Sequence, residues 1–507
     1  MNVGEWVFKR SISHPTRPFL KEAEREDRDF NNKEFNERTN RMAHAIMSLG
    51  LKKGDRVATL LINSSEFLEI FFACAKIGVI MVPINFRLAT PELLYILGNC
   101  EPAALVYSSD YAEKVREIKA KNPGIQHFFK HGGGELDEDS SITGFAQSFS
   151  YNEPIVALEV TESDPLVIIY TSGTTGYPKG VKIPHRSFVF DAMHNILNFG
   201  VNRTFKSLVT APLFHIGAIG ASTTPVIYAG GSLVLKRFFN ASEIIKIIVK
   251  EKINYMFAVP VMFQMMTEAL EWKDADFSHV HYFISGGAPI PVPVIKKFQA
   301  EKGVGFAQGY GMTESLRISS LALDESIRKA GSVGKEEFHV LLRIIGNDGN
   351  DVPEGEVGEV IIKSPSNLLG YWNNPEETKK TLRNGWLYSG DMGKRDEEGF
   401  LYLVGRKSEL IISAGENIFP AEVERVVNSL PEVKESAVVG IPDDKRGEAV
   451  AVFVLLKEGQ SLTEEGLVDG LRGKVANFKL PKKVIFVSDF PRNTSGKILK
   501  RELKTQA

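Results

Sequence analysis

The stretch from Asp55 to Asn85 reads "DRVATLLIN", "SSEFLEIFFACAKIG", "VIMVPIN". That is an apolar strand, a helix and a second apolar strand, with Ser64 or Ser65 placed to cap the helix and Gly78 placed to end it. The alternation returns at "GGSLVLKRF", "ASEIIKIIVKEK" and "INYMFAVP". Repeated strand–helix–strand units imply an α/β domain with largely parallel sheets. The most apolar run, "FLEIFFACAKIGVIMVPI", is cut by Glu69, Lys76 and Pro83, so it is expected as a buried helix and strand, not a membrane span.

Beyond residue 330 the texture changes to short strands and charged turns, "EVGEVIIKS" and "GWLYSGDMGKRDEEGFLYLVG". These suggest a smaller, mostly antiparallel β subdomain. After Arg406 a compact α+β unit follows. It holds the helix "PAEVERVVNSL", the strands "ESAVVGIPD" and "EAVAVFVLL", and a helix opened by a capping box of Ser461 with Glu464. It closes with the strand "KKVIFVSD" and the basic tail "PRNTSGKILKREL". The expected organisation is therefore a large N-terminal α/β domain over 1–406 and a small mobile α+β domain over 407–507.

A chain of 507 residues is too long for a single core. Its 61 basic and 63 acidic side chains give no electrostatic case for nucleic acid as the main partner. Cys74 and Cys100 are the only cysteines, which excludes a disulfide scaffold and suits a reducing compartment such as the cytoplasm. The first residues, "MNVGEWVFKRSISHPTRPF", lack the uninterrupted apolar core of a signal peptide.

Chemistry enters at "YTSGTTGYPKG", residues 170–180, directly behind the apolar "PLVIIY". Amides, hydroxyls and an ammonium gathered after a buried strand can converge on phosphate oxygens; the plain alternative is a solvated turn. The segment is not a Walker A loop, because Pro178 precedes Lys179 and Gly180 follows it. A flap closing over a polyphosphate fits better than a cradle on a helix N-terminus.

"YTSGTTGYPKGV", "QGYGMTES", "YSGD", "GRKSELIISAGENIFPAEVE" and "PRNTSGKILK" occur in the order and spacing of the AMP-forming acyl-CoA synthetases, the adenylate-forming family that includes firefly luciferase. The resemblance runs essentially from end to end and looks closest to bacterial fatty-acyl-CoA synthetases. It implies ATP, Mg²⁺ and coenzyme A as co-substrates and cofactor. It also implies two half-reactions: a carboxylate attacks the α-phosphorus of ATP, and a thiol then displaces AMP from the acyl-adenylate.

The resemblance implies roles residue by residue. Thr171, Ser172, Gly173, Thr174, Thr175 and Lys179 would hold the β- and γ-phosphates. Thr313 would meet the α-phosphate and Glu314 the Mg²⁺, a hard cation content with one carboxylate plus phosphates. Adenine would lie between Gly287–Ala288–Pro289 and Tyr310, beside Gln308 and Gly309; Asp391 and Arg406 would hold the ribose. Lys497 would bridge the carboxylate and the α-phosphate, offsetting charge in the transition state. The C-terminal domain would then rotate about Ser408, bringing Ser413, Ala414, Gly415 and Glu416 to a pantetheine tunnel. Relatives usually hold Asp or Lys at the Ser408 position, so the pivot's place is open between Lys407 and Glu409.

The acid site would be "PLFHIGAIG", with His215 gating the thiol and Gly217, Ala218 and Gly220 leaving room. The plain alternative for His215 is a core histidine. No aspartate in this segment waits for a substrate ammonium. Phe257, Met262, Phe263, Met265 and Met266 offer an apolar lining, or simply core. Arg237 would approach the CoA phosphates. The expected activity is therefore activation of a hydrophobic acid, a medium- or long-chain fatty acid, to its CoA thioester. Alternatives are an aromatic acid of benzoate or hydroxycinnamate type, transfer to a carrier protein, and a nucleotide-dependent switch. Nucleic acid is not an expected partner, and membrane contact is expected to be peripheral at most; oligomeric state stays open.

Overall fold

The computed structural model describes residues 2–121, 124–132, 139–171, 177–413, 416–443, 446–492 and 498–507. The chain forms two compact units, Met1–Leu342 with Ile362–Leu387, and Arg343–Ile361 with Tyr388–Ala507.

The first unit is the α/β part. In the helix Ser65–Ile77, Ser64 Oγ accepts the Phe67 N–H at 3.4 Å, and Gly78 ends the helix at φ 74°. Every residue of the helix is buried, so its charged interruptions must be paired. Lys76 Nζ donates to Asn36 Oδ1 and Asn40 Oδ1 at 2.7 Å each and meets Glu153 Oε2 at 2.6 Å. Arg38 Nε donates to Glu69 Oε1 at 2.7 Å. The apolar run is thus a core helix and the strand Ile80–Pro83. Among the described residues no helix is long and apolar enough to cross a membrane.

Ile80–Pro83 lies within a seven-stranded sheet that is parallel from Pro165–Thr171 to His127–His131 and ends in antiparallel Lys179–Pro184 and Gly370–Tyr371. A nine-stranded sheet is parallel across Phe306–Met312, Tyr282–Gly286, Tyr255–Ala258, Lys206–Val209, Ser232–Leu235 and Pro18–Glu22. Its Pro18–Glu22 strand pairs Leu20 with Leu233, so the chain's start closes on its middle. Both cysteines are buried and unbridged, and burial pushes the Cys100 thiol to about 12.

The sequence from 330 onward is not one continuous β subdomain. Residues 362–387 return to the first unit because Gly370 and Tyr371 add a short strand opposite Lys182 and Val181. Arg343–Ile361 and Tyr388–Ala507 form the second unit. The antiparallel strands Trp386–Arg395 and Leu401–Arg406 cross Asp391 with Arg406. Further on, the hairpin of Val433–Asp443 with Gly447–Leu456 takes Lys483–Phe486 in parallel. Helices Pro420–Val427 and Glu464–Leu471 close an apolar core rich in valine.

The expected capping box fails. Thr463, not Ser461, is the N-cap, its hydroxyl accepting the Gly466 N–H at 3.0 Å. Glu464 is then the first helical residue, favoured by the helix dipole but too early to reach back to a cap.

Candidate active site

Thr171 faces Lys179 where the antiparallel strands Pro165–Thr171 and Lys179–Pro184 pair. Ser172, Gly173, Thr174 and Thr175 lie outside the described residues. A Cβ at Gly180 would come within 2.9 Å of Ile168 Cγ2 and 3.0 Å of the Tyr170 ring, so glycine lets the strands close. The Lys179 ammonium pairs with Glu377 and lies 5.8 Å from the Tyr371 ring centre, in cation–π range.

Glu314 reaches the same ring from another hairpin. At Gly311 a Cβ would stand 2.1 Å from the Leu316 carbonyl oxygen, and Leu316 itself adopts a φ of 54°. This tight, strained connection carries Thr313, Glu314 and Ser315. Glu314 is buried and its Oε1 accepts the Tyr371 hydroxyl at 2.9 Å; burial and the adjacent carboxylate push that phenol's pKa up. Lys179 and Glu314 therefore meet at the Tyr371 ring, an ammonium and a carboxylate of the kinds that can meet phosphate and Mg²⁺. Beside them, Gly286 pairs with Gly309 in parallel strands. Gly287 (φ 82°) and exposed Ala288 leave the end of one strand, while Gln308 and Tyr310 are buried in the other. Carboxyl ends of parallel strands are where such sheets bind ligands.

In the second unit, Arg406 Nε meets Asp391 Oδ1 at 2.7 Å, and Arg406 Nη1 donates to the Ser389 carbonyl at 3.1 Å. Exposed Ser408 sits in the turn Lys407–Glu409 between two anchored neighbours. Lys407 Nζ holds Glu359 Oε2 at 2.7 Å, whereas Glu409 Oε2 meets Lys500 Nζ at 3.2 Å, and Lys500 also holds Glu424 at 2.7 Å. Ala414, Gly415 and Lys497 lie outside the described residues.

The acid segment differs from expectation. Gly217–Thr223 is a π-helix, a form concentrated at functional sites. The space beside Gly217 is taken by the Phe257 ring, 3.2 Å from where a Cβ would stand, and Gly220 faces Asp191. Phe263 and Met266 are fully buried core, and Met265 is exposed. Close packing of the helix Pro260–Glu268 on its neighbours consumes Phe263 and Met266, Met262 packs against the same core, and Phe257 stays partly exposed. The His215 ring lies 4.4 Å from that of Phe214, and burial together with Arg87 lowers its pKa to about 4, so it is neutral at neutral pH. Arg237 pairs with Asp110 at 3.2 Å on the surface.

Residues 8–372 match the model of the AMP-binding enzyme, and residues 422–497 that of the AMP-binding enzyme C-terminal domain. The chain belongs to the AMP-binding enzymes. It is 39% identical over 477 residues to the long-chain-fatty-acid–CoA ligase FadD13 of Mycobacterium tuberculosis, covering 93% of this chain and 92% of that one. To a feruloyl-CoA synthase of Amycolatopsis it is 35% identical over 473 residues, with the same coverage. The crystal structure of the anthranilate CoA ligase AuaEII with anthranoyl-AMP superposes with a TM-score of 0.91 at 25% identity, covering 100% of this chain and 97% of that one. This AMP-binding enzyme is an acid–CoA ligase working through an acyl-adenylate. Sequence reasoning missed Tyr371 and Glu377; the short strand "GY" that delivers Tyr371 is too brief to show a period.

Proposed function

We propose that this ligase activates an acid with a ring-sized apolar body. The observation that carries the reading is the Phe257 ring, wedged between Gly217 and Gly286 at 3.2 and 3.1 Å from their would-be Cβ positions. The ring fills the space beside both glycines and, itself only partly buried, offers an aromatic surface that suits a flat substrate. Identity to FadD13 favours a second reading, a medium- or long-chain fatty acid.

In either case Thr171, the Gly-rich tip and Lys179 hold the outer phosphates, and Glu314 takes Mg²⁺, which neutralises phosphate charge. Gly287, Ala288, Gln308, Gly309 and Tyr310 hold adenine, Thr313 the α-phosphate, and Asp391 with Arg406 the ribose. Beside Lys497, a substrate carboxylate oxygen bonds to the α-phosphorus and pyrophosphate leaves with the electrons of its P–O bond. Rotation of residues 407–507 about Ser408 follows, the anchors on Lys407 and Glu409 confining the twist to the residue between them. The thiol sulfur of CoA, admitted past neutral His215 and guided by Arg237, Ala414 and Gly415, then bonds to the acyl carbon and AMP departs. Two buried free thiols support a cytoplasmic setting.

The test is pyrophosphate release over benzoates, cinnamates and alkanoates of graded length, with and without CoA. Higher kcat/KM for the aryl acids supports the ring reading; higher values for C8–C16 alkanoates select the second.

A further inference from the structure

None of these roles uses the helix Thr90–Cys100, yet it touches both strands that flank the phosphate segment. Tyr95 sits on this helix, and its ring stacks on that of Tyr177, with centroids 4.8 Å apart and an interplanar angle of 27°. Both side chains are exposed, Tyr95 at 36% and Tyr177 at 65%, so the stack is not a by-product of core packing. Tyr177 stands two residues before Lys179, and the Pro178 between them has its φ fixed near about −65°. What holds the Tyr177 ring therefore holds the start of the strand that carries Lys179.

Asn99, one turn along the same helix face, holds the other side. Its Oδ1 accepts the hydroxyl of Tyr170, the residue paired with Gly180 across the two strands. Its carbonyl is among the last four of the helix, which have no intrahelical donor. That carbonyl accepts Trp372 Nε1 and Asn373 Nδ2 at 3.1 Å each. The Trp372 backbone N–H in turn donates to the Gly180 carbonyl at 2.7 Å. One helix face thus meets both strands and the segment that brings Tyr371 to Lys179. Glu377 and the Tyr371 ring aim the ammonium; the helix sets where its backbone stands.

We propose that Tyr95 is a positioning residue for the adenylation half-reaction. By stacking on Tyr177 it fixes the Lys179 backbone, and with it the ammonium that meets the outer phosphates of ATP. This rests on the phosphate role of Lys179 given above. Without the stack, ATP must order that strand end as it binds, and its KM carries the cost. Aromatic pairs of this kind change an equilibrium constant by about two- to tenfold. The second half-reaction begins after pyrophosphate has left, so it has no outer phosphates for Lys179 to hold.

The experiment measures pyrophosphate release against MgATP concentration, with the acid of highest kcat/KM from the series above. Consumption of the matching acyl-adenylate with CoA is followed separately. Tyr95→Ala and Tyr177→Ala should each raise the KM for ATP about two- to tenfold, while the KM for the acid and the second half-reaction stay as in wild type. Tyr95→Phe, which keeps the ring, should restore the wild-type KM. The double alanine variant should be no worse than either single one, because the two rings act as a unit. A wild-type KM for ATP in Tyr95→Ala, or losses that multiply in the double variant, overturns the proposal. An equal fall in both half-reactions does so too, since it marks a merely structural role. Lys179→Met separates the underlying reading. If that variant releases pyrophosphate normally, the phosphate role of Lys179 falls and the proposal with it. If it is crippled while Tyr95→Ala is not, only the role of the stack falls.

Discussion

Among the described residues, all fifteen buried side-chain nitrogen and oxygen atoms without a hydrogen-bond partner belong to the first unit. The second unit, more than a quarter of the chain, has none among its described residues. Its valine-rich core is wholly aliphatic, and its enclosed charges are matched, Asp391 by Arg406 and Lys500 by two glutamates. All ten histidines are likewise in the first unit. Unsatisfied polar atoms are expensive, and they are spread through the first unit from Trp6 Nε1 to Arg317 Nη1. The second unit answers its buried side chains from within, as Arg406 answers Asp391. The contrast teaches that one chain divides into two parts that handle buried polarity differently.

The largest test of that division is Lys497→Ala. If the second unit lends the first a single charge in one half-reaction, adenylation should fall roughly a hundred- to a thousandfold. Consumption of supplied acyl-adenylate with CoA should stay near normal. Equal loss in both halves would mean that the second unit has a wider role. Tyr371→Phe comes next, probing the first unit's own wiring. It removes the hydroxyl that Glu314 accepts at 2.9 Å, and about 1.5–3 kcal/mol is expected for a bond to a charged group. Adenylation should drop about tenfold or more and the Mg²⁺ requirement should rise; an unchanged metal titration would detach Tyr371 from the metal site.

A smaller effect sharpens the histidine contrast. His185 is buried and neutral, its Nδ1 accepting the Val3 N–H at 3.0 Å, and burial lowers its pKa to about 3. The unfolded chain, with an ordinary imidazole near ~6.5, binds the proton more readily. Stability is therefore full above about pH 6.5 and is lost as pH falls towards 3, at up to about 1.4 kcal/mol per pH unit for this group. His185→Gln should flatten that slope; urea melts at pH 7.5, 6 and 5 would show the wild-type curve falling relative to the variant. A parallel pair of curves would remove His185 from the account. Smallest is the cap in the second unit: Thr463→Ala should cost about 1 kcal/mol and Ser461→Ala at most a few tenths, read from hydrogen exchange along Glu464–Leu471. Equal costs would return the cap to Ser461.

Much of the first unit was legible because its signals are local and periodic. The helix Ser65–Ile77 is bounded by its own serine and glycine, and its buried strands read as unbroken apolar runs. The second unit's hairpin and helices were legible for the same reason, while its Ser461 cap was misplaced by two residues because two hydroxyl residues compete there. Around the segment from Pro212 to Gly220 the sequence could not show the surroundings. Asp191 and Arg317 come together from a helix and a strand 126 positions apart, and only packing brings them to Gly220 and Gly309. Phe263 and Met266 could not be told from lining because core and pocket ask for the same side chains.

The strand Pro18–Glu22, paired with Ser232–Leu235, sets a clock on biosynthesis. Leu20 leaves the ribosome long before Leu233 exists, and at 5–20 residues per second the wait is roughly 10–40 s. During that time the strand's apolar face and unpaired backbone are open to wrong partners, while the strands from Arg56 to Pro184 of the seven-stranded sheet are encoded in between and find one another sooner. Slowing elongation ahead of residue 233 should therefore lower the soluble yield, and a chaperone that shields the nascent amino end should restore it.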